Sequence, residues 1–185
     1  MKYNVDSIIG SGKVLQRENF VFFWGHIARA EKLVKACLSQ WFPCSFLVDD
    51  IYYNCAEQFM MAEKARPFHD EDALQKIMQA YDPMEQKKLG RRVQGYDDAM
   101  WKICCFDAVV RGNVAKFSQN LKLRDYLIST RDKILVEASP KDAVWGIGLD
   151  EESPDAINPK RWQGTNLLGF ALMEARDIIR ENVEH

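Results

Sequence analysis

The residues best suited to chemistry are a carboxylate and an amine in the first half of the chain. Glu57 and Lys64 stand seven residues apart in a helical pattern, so they share one helix face at about two turns, or about 10 Å. A carboxylate can move a proton, activate water or stabilise positive charge. A lysine amine can form a Schiff base or pair with a phosphate. Each also has an ordinary interpretation: Glu57 would complete a capping box that begins at Asn54, and Lys64 would be an exposed lysine.

A second group of candidates lies in a stretch rich in Gly, Pro and Asp, at 139–165. Its length and composition are typical of a functional loop. Asp142 can bind hydrogen-bond donors, and Trp145 can stack on a planar ring. Packing in the core is an equal alternative for Trp145, and a stronger one for Trp101, whose helix has many apolar neighbours.

The end of this stretch, Gly-Thr-Asn at 164–166, precedes the last helical pattern of the chain. Free backbone N–H groups at the start of a helix suit a phosphate. A simple N-cap by Thr165 or Asn166 is the alternative interpretation.

The histidines and cysteines do not indicate metal or cofactor chemistry. The three histidines (His26, His69 and His185) are scattered, and the five cysteines are odd in number with no CxxC spacing. Neither pattern fits a His/Cys metal site, and so few histidines also disfavour a Ser-His-Asp hydrolase. We therefore expect no metal, no cofactor and no disulfide, and a reducing compartment such as the cytoplasm.

Charge and hydropathy narrow the choice of partners. The net charge of −2 provides no global field for holding DNA or RNA. The densest basic cluster, at 87–92, suits either a helix end that complements the helix dipole or a phosphate site. Apolar runs fall far short of the roughly 20 residues of a membrane helix, and residues 1–6 lack the apolar core of a signal peptide. We expect no membrane partner.

The candidate residues must be positioned by a mostly helical chain with few strands. Strand patterns occupy 19–24, 44–48, 51–53 and 133–138, and helical patterns occupy 28–38, 54–66, 82–90, 97–119, 121–128 and 166–183, with a further helix opening at Asp70. Strands and helices do not alternate regularly, which disfavours a Rossmann-like sheet. We predict an α+β fold, predominantly helical, with a small β-sheet in a single domain at 19–183. Residues 1–18 are expected to form a loosely attached leader.

Three stretches of the chain carry recognisable motifs. They are LSQWFP at 38–43 followed by AEQFMMAEKA at 56–65, then EASPKDAVWGIGL at 137–149, then WQGTNLLG at 162–169 followed by Met173 and Arg176. In this order they resemble the motifs of the YbiA-like (NADAR) family over about residues 20–180, and Trp101 and the segment 116–120 also fit. The chain departs from the family pattern at Gln40, where Asn is usual, and at Gln58, where His is common.

The resemblance implies a YbiA-like fold and hydrolysis of an N-glycosidic bond between a phosphorylated ribose and an exocyclic amine of a base. Substrates described for the family are phosphoribosylamino-pyrimidine intermediates of riboflavin synthesis and ADP-ribosylated guanine on DNA, and the sequence does not choose between them. The implied catalytic residues are Glu57, Lys64 and Asp142. The implied substrate-binding residues are Trp101, Trp145, Gly146, Trp162 and Asn166. A non-catalytic module that binds ADP-ribose or a nucleotide is the alternative.

For that reaction Glu57 and Lys64 have distinct candidate roles. Cleavage at an anomeric carbon develops positive charge on the ribose, which a carboxylate stabilises. A sugar attached through an exocyclic amine can open to an imine, into which the amine of Lys64 can exchange. Plain hydrolysis would not need this lysine, which could equally pair with a substrate phosphate.

Overall fold

The computed structural model describes residues 1–12, 14–25 and 33–183, which form two compact units. The first unit is formed by the described residues of 1–39 and 122–185, and the second unit spans Gln40–Leu121. Helices dominate and the strands pair in two small sheets, which confirms the expected α+β class. Within the described ranges, no helix is long and apolar enough to cross a membrane.

The first unit is built on two parallel strands from distant parts of the chain. Strand β1 (Phe20–Phe23) pairs with β4 (Ile134–Glu137), and the long helix α8 (Leu167–Val183) packs on β4. Its other helices are α1 (Val5–Gly10), α2 (Leu33–Ala36) and α7 (Leu121–Ser129). The helix expected at 28–38 is confirmed over α2, and its start lies outside the described residues. The core holds the apolar side chains of Phe20, Phe22, Phe23, Leu135, Val136, Leu168, Leu172 and Ile179.

The N-terminal segment is part of this unit, so the expected loose leader is wrong. The Lys2 ammonium lies 2.5 Å from an Asp177 carboxylate oxygen, to which the Tyr3 hydroxyl donates at 2.7 Å. Ile8 of α1 is buried. Because the partner of both polar contacts is more than 170 residues away, local sequence patterns do not reveal the attachment.

The second unit consists of a hairpin and four helices. Strands β2 (Phe46–Val48) and β3 (Ile51–Tyr53) are antiparallel. Asp49 and Asp50 form the turn between them, both with positive φ (50° and 61°), as a tight hairpin turn requires. The helices are α3 (Ala56–Ala65), α4 (Glu71–Gln79), α5 (Pro83–Gly90) and α6 (Asp98–Gln119). Phe46, Tyr53, Phe59, Ala62, Ile77, Val109 and Phe117 form much of its core.

Two glycines set how closely the other helices approach α3. A Cβ on Gly112 would lie 2.5 Å from Cδ1 of the Phe59 ring, and a Cβ on Gly90 would overlap the sulfur of Met61. Gly112 therefore serves close packing, and α6 runs through it without a break. Gly90 likewise belongs to the last turn of α5, and Arg91 is its C-cap.

Candidate active site

The helix that carries both main candidates begins one residue later than the capping box predicts. Cys55 is the N-cap of α3, and its Sγ accepts the backbone N–H of Gln58 at 3.4 Å. The side-chain Oε1 of Gln58 in turn accepts the backbone N–H of Asn54 at 2.8 Å. The predicted cap between Asn54 and Glu57 is therefore wrong, because Gln58 makes the reciprocal contact instead.

Glu57 has no part in that cap and is buried. Its side chain is 4 % exposed, and its backbone N–H donates to the carbonyl of Gln40 at 3.0 Å. A carboxylate in the first turn of a helix is favoured in its ionised form by the helix dipole. Burial of a carboxylate is nevertheless costly unless another charge compensates it.

Lys116 provides a buried positive charge in the same unit. Its side chain is fully buried, with Nζ 5.0 Å from the centroid of the Phe117 ring and 5.9 Å from that of Phe42. Among the described residues of the second unit, Glu57 and Lys116 are the charged side chains that are buried. One buried acid is thus matched by one buried base.

The charges of Glu57 and Lys116 both act on the thiol of Cys55. Burial raises the pKa of Cys55 to about 12; the charge of Glu57 also raises this pKa, whereas the charge of Lys116 lowers it. Sequence reasoning noted Lys116 within a family motif and assigned it no role. The available signal was helical spacing, because Lys116 follows Asn113 and Val109, both buried, on one face of α6.

Lys64 lies in the last turn of α3 and is half-buried. Its Nζ sits 4.1 Å from the centroid of the Tyr96 ring, a cation–π contact. Burial lowers the pKa of Lys64, the nearby charge of Arg91 lowers it further, and the charges of Asp98 and Glu57 oppose the shift. The amine is therefore easier to deprotonate than an ordinary lysine, as a nucleophilic amine requires.

Trp101 belongs to the second unit too, in the first turn of α6. It is 7 % exposed, and its backbone N–H donates to the carbonyl of Asp97 at 3.1 Å. Little of its ring is open to a ligand, and its predicted contact with substrate stays a prediction.

The remaining candidates lie in the first unit, where Asp142 organises the loop after β4. Its Oδ1 accepts the backbone N–H groups of Val144 (3.0 Å) and Trp145 (2.8 Å). The indole of Trp145 is half-buried. Asp142 thus orients the backbone that carries Trp145, and the catalytic role predicted for it stays a prediction.

The start of α8 does not offer the free N–H groups that the sequence suggested. The N–H groups of Asn166, Leu167 and Leu168 donate to the carbonyls of Gly146 (3.0 Å), Val144 (3.3 Å) and Trp145 (3.1 Å). The loop therefore occupies these three N–H groups, which the sequence offered as donors to a phosphate. Gly146 is needed for this arrangement, since a Cβ on it would lie 2.9 Å from the carbonyl oxygens of Asp142 and Glu137.

Asn166 joins α8 to β4 and is not a simple N-cap. It is fully buried with a φ of 54°; its Oδ1 accepts the N–H of Glu137 (3.0 Å), and its Nδ2 donates to the carbonyl of Leu135 (2.9 Å). Trp162 has a similar structural contact, because its Nε1 donates to the carbonyl of Ala156 at 2.8 Å. Substrate contacts from Gly146, Trp162 and Asn166 remain predictions.

The structure also bears on metals and disulfides. Among the described residues, no group of three or more His, Cys, Asp or Glu side chains is placed to hold a metal ion. All five cysteines lie in the described ranges, and no disulfide joins them.

Comparison with known proteins identifies the family. The model of the NADAR domain matches residues 22–180, so the chain belongs to the NADAR family. It is 40 % identical over 168 residues to an N-glycosidase of Acanthamoeba polyphaga mimivirus, covering 88 % of this chain and 98 % of that protein. It is 30 % identical over 151 residues to a riboflavin biosynthesis protein of Vibrio vulnificus, covering 80 % of this chain and 36 % of the Vibrio protein.

The solution structure of the Escherichia coli protein YbiA shares the fold. It aligns with a TM-score of 0.72 at 24 % identity, covering 92 % of this chain and 91 % of YbiA. Several relatives, the mimivirus protein among them, are named N-glycosidases. The chain is accordingly a hydrolase that acts on N-glycosyl compounds.

Proposed function

We propose that the enzyme hydrolyses the bond between a phosphorylated ribose, either ribose 5-phosphate or ADP-ribose, and an exocyclic amine of a base. The observation that carries the proposal is the pair on α3. Glu57 is a buried carboxylate that is not used as a helix cap, and Lys64 is a half-buried amine whose pKa is lowered. A carboxylate for proton transfer and an activated amine on the same helix face suit a sugar whose C1′ can become an imine carbon.

In the proposed reaction Glu57 handles the proton and the positive charge. Protonation of the ring oxygen opens the glycosylamine to an imine between C1′ and the nitrogen of the base. The neutral amine of Lys64 adds to C1′, and the base leaves with its amine protonated back to NH₂. Water then hydrolyses the lysine imine, which releases the sugar aldehyde and regenerates the amine.

Lys116 supports this role of Glu57 by supplying a buried counter-charge. The charges of Glu57 and Lys116 shift the pKa of the Cys55 thiol in opposite directions. Both charges therefore act at the N-terminus of α3, where Cys55 is the N-cap. A nearby cation lowers the energetic cost of keeping a buried carboxylate ionised. We assign Lys116 as a positioning residue for Glu57.

Two substrates share the required linkage. The name of the Vibrio vulnificus relative supports a phosphoribosylamino-pyrimidine intermediate of riboflavin synthesis, and the net charge of −2 agrees with a small-molecule substrate. ADP-ribosyl guanine on DNA has the same ribosyl-amine linkage and is the second substrate to test. In either case we propose that Asp142 and Trp145 contact the base, and that the enzyme acts in the cytoplasm without a metal.

The test is turnover followed by chemical trapping. The purified enzyme is given each substrate, with and without a chelator, and release of the free base is measured. Borohydride added during turnover reduces a lysine imine, so the α3 peptide should gain the mass of the reduced sugar phosphate on Lys64. Lys64→Arg should lose both turnover and adduct because a guanidinium does not form an imine. Lys76→Arg, an exposed lysine paired with Asp72 on α4, is the matched control and should keep both.

Three results would separate the alternatives. Binding of the ribosyl phosphate without release of base would favour the non-catalytic module. Near-normal turnover of Lys64→Arg would exclude the covalent step; Lys64 would then pair with phosphate, and Glu57 would act on water directly. Loss of turnover with the chelator, restored by one metal, would contradict a metal-free reaction.

A further inference from the structure

The packing of α5 on α3 places an arginine beside Lys64. Gly90, the last residue of α5, lies so close to Met61 that a Cβ would overlap the Met61 sulfur. Met61 stands three residues before Lys64 and so on the same face of α3. The next residue after Gly90, Arg91, therefore leaves α5 next to Lys64, and its charge acts on the Lys64 amine.

These two cations are close together, and no described residue contacts either of them as a counter-ion. Neither the Lys64 amine nor the Arg91 guanidinium forms an ion pair or a side-chain hydrogen bond with any described residue; the Lys64 amine rests instead on the face of the Tyr96 ring. Like charges that close repel each other, and partial burial of Lys64 strengthens the repulsion.

Two carboxylates, Asp98 and Glu57, act on the charge of Lys64, and they compensate it only in part. Asp98 pairs with Lys102 at 2.5 Å and accepts the Tyr96 hydroxyl at 3.0 Å, so only part of its charge effect reaches Lys64. Glu57 is buried in the first turn of α3, about two turns before Lys64 along the helix. An anion supplied by a ligand would offset the part of the repulsion between Lys64 and Arg91 that these carboxylates do not offset.

We propose that Arg91 forms the phosphate subsite of the active centre, where its guanidinium binds a phosphate of the substrate while Lys64 faces C1′. The planar guanidinium of arginine is suited to bidentate binding of phosphate. The inference rests on the proposed function, since the phosphate that Arg91 binds is the phosphate of the ribosyl substrate. A phosphate subsite also accounts for an exposed arginine beside a half-buried lysine. A role in complementing the dipole of α5 does not account for it, because Lys87 and Lys88 already occupy the last turn of that helix.

The adjacent residue provides a matched control. Arg92 carries the same charge, is exposed, and forms no ion pair with the described residues, but its charge is not among those that act on Lys64. Arg91→Ala should raise KM for the phosphorylated substrate by roughly tenfold to a hundredfold, the size expected for one charge-assisted contact. Arg92→Ala should change KM by less than about twofold, within the usual range for surface substitutions.

The dephosphorylated substrate completes the kinetic test. On that substrate Arg91→Ala and the wild-type enzyme should have similar KM values, because the group that Arg91 binds is missing. Equal effects of Arg91→Ala and Arg92→Ala on KM, or an equal rise in the KM of Arg91→Ala for the dephosphorylated substrate, would overturn the phosphate subsite. Thermal melting of each variant shows whether the fold is retained.

A binding experiment keeps this inference separate from the proposed function. Inorganic pyrophosphate is titrated into wild type, Arg91→Ala and Arg92→Ala by calorimetry, and only Arg91→Ala should lose binding. Equal binding by all three would overturn the subsite even in an active hydrolase, whereas selective loss without any turnover would keep the subsite and reject the proposed reaction. An unmodified single-stranded oligonucleotide that displaces pyrophosphate would assign the subsite to strand phosphates, and no displacement would assign it to the phosphate of a free nucleotide.

Discussion

The Oε1 of Gln58 accepts the backbone N–H of Asn54 at 2.8 Å and closes the first turn of α3 from inside the helix. The Nε2 of Gln58 donates to the carbonyls of Ile77 (3.1 Å), Met78 (3.2 Å) and Ala80 (3.2 Å), so one buried amide also ties α3 to the end of α4. The stabilising role at this helix start thus belongs to Gln58 and not to the neighbouring Glu57.

We therefore expect Glu57 and Gln58 to respond differently to substitution. Glu57→Gln should lower kcat by about 10²–10⁴-fold, because proton transfer by a positioned group is lost, and it should also lower the free energy of unfolding, because the buried Lys116 loses its compensating charge. Gln58→Ala should cost about 2 kcal/mol or more of unfolding free energy, since it leaves buried backbone groups unsatisfied. Denaturant unfolding and steady-state kinetics on both variants check this. A loss of kcat for Gln58→Ala as large as that for Glu57→Gln would contradict the assignment.

The pH dependence of turnover should follow the Lys64 amine. Deprotonation activates the amine, so kcat/KM should rise with pH through the pKa of Lys64, which burial and Arg91 hold below the ordinary lysine value of 10.5. Arg91→Ala removes one cause of the lowering, so the Lys64 pKa should rise and the ascending limb should move to higher pH. Comparison of the pH–rate profiles of the two proteins measures the displacement. A limb that moves to lower pH would contradict the electrostatic argument.

Lys116 and Glu57 should be coupled in stability. Lys116→Met leaves the buried Glu57 carboxylate without its compensating charge and should cost about 3–5 kcal/mol of unfolding free energy. The double variant Glu57→Gln with Lys116→Met should recover part of that loss, because neither buried charge remains. A double-mutant cycle from denaturant unfolding gives the coupling. Strict additivity of the two single changes would show that the charges do not interact.

Asn166 should be important for stability whatever its contact with substrate. Asn166→Ala removes the acceptor for the Glu137 N–H and the donor to the Leu135 carbonyl, at about 1–3 kcal/mol for each group left unsatisfied. Thr165→Ala, its exposed neighbour, loses one hydrogen bond to the Val144 carbonyl and should cost about 1 kcal/mol or less. Thermal unfolding of both variants would reveal the difference; similar losses would argue against the bridging role of Asn166.

Trp145 should matter more for binding than for folding. Stacking on a base contributes about 1–3 kcal/mol, whereas deletion of a core Trp costs about 3–5 kcal/mol of unfolding free energy. Because the indole is only half-buried, we expect Trp145→Ala to raise the dissociation constant for substrate with a small change in melting temperature. Phe106→Ala, in the core of the second unit, serves as a reference for a truly buried aromatic side chain. A melting-temperature loss for Trp145→Ala as large as that of the reference would indicate core packing.

Local sequence was sufficient for much of the secondary structure. Asp70, Asp82 and Asp97 each accept a backbone N–H three residues later, and each begins the helix that its residue type predicts. Asp49 and Asp50 tolerate the positive φ of the hairpin turn for a similarly local reason. The order of the motifs was also sufficient for the family, because the motifs cover about residues 20–180 and the NADAR domain matches residues 22–180.

Long-range contacts decided the functions of the individual residues. Whether Glu57 caps a helix depended on Gln58, which reaches Asn54 while it binds carbonyls some 20 residues away; whether Asn166 is a cap depended on β4, about 30 residues earlier in the chain. The burial of Lys116 and the position of Arg91 beside Lys64 likewise depend on how α5 and α6 pack against other elements of the second unit. Caps and turns involve neighbours in the chain, so sequence alone determines them. Burial, counter-charge and pKa depend on groups brought close by folding, so only the tertiary structure could decide them.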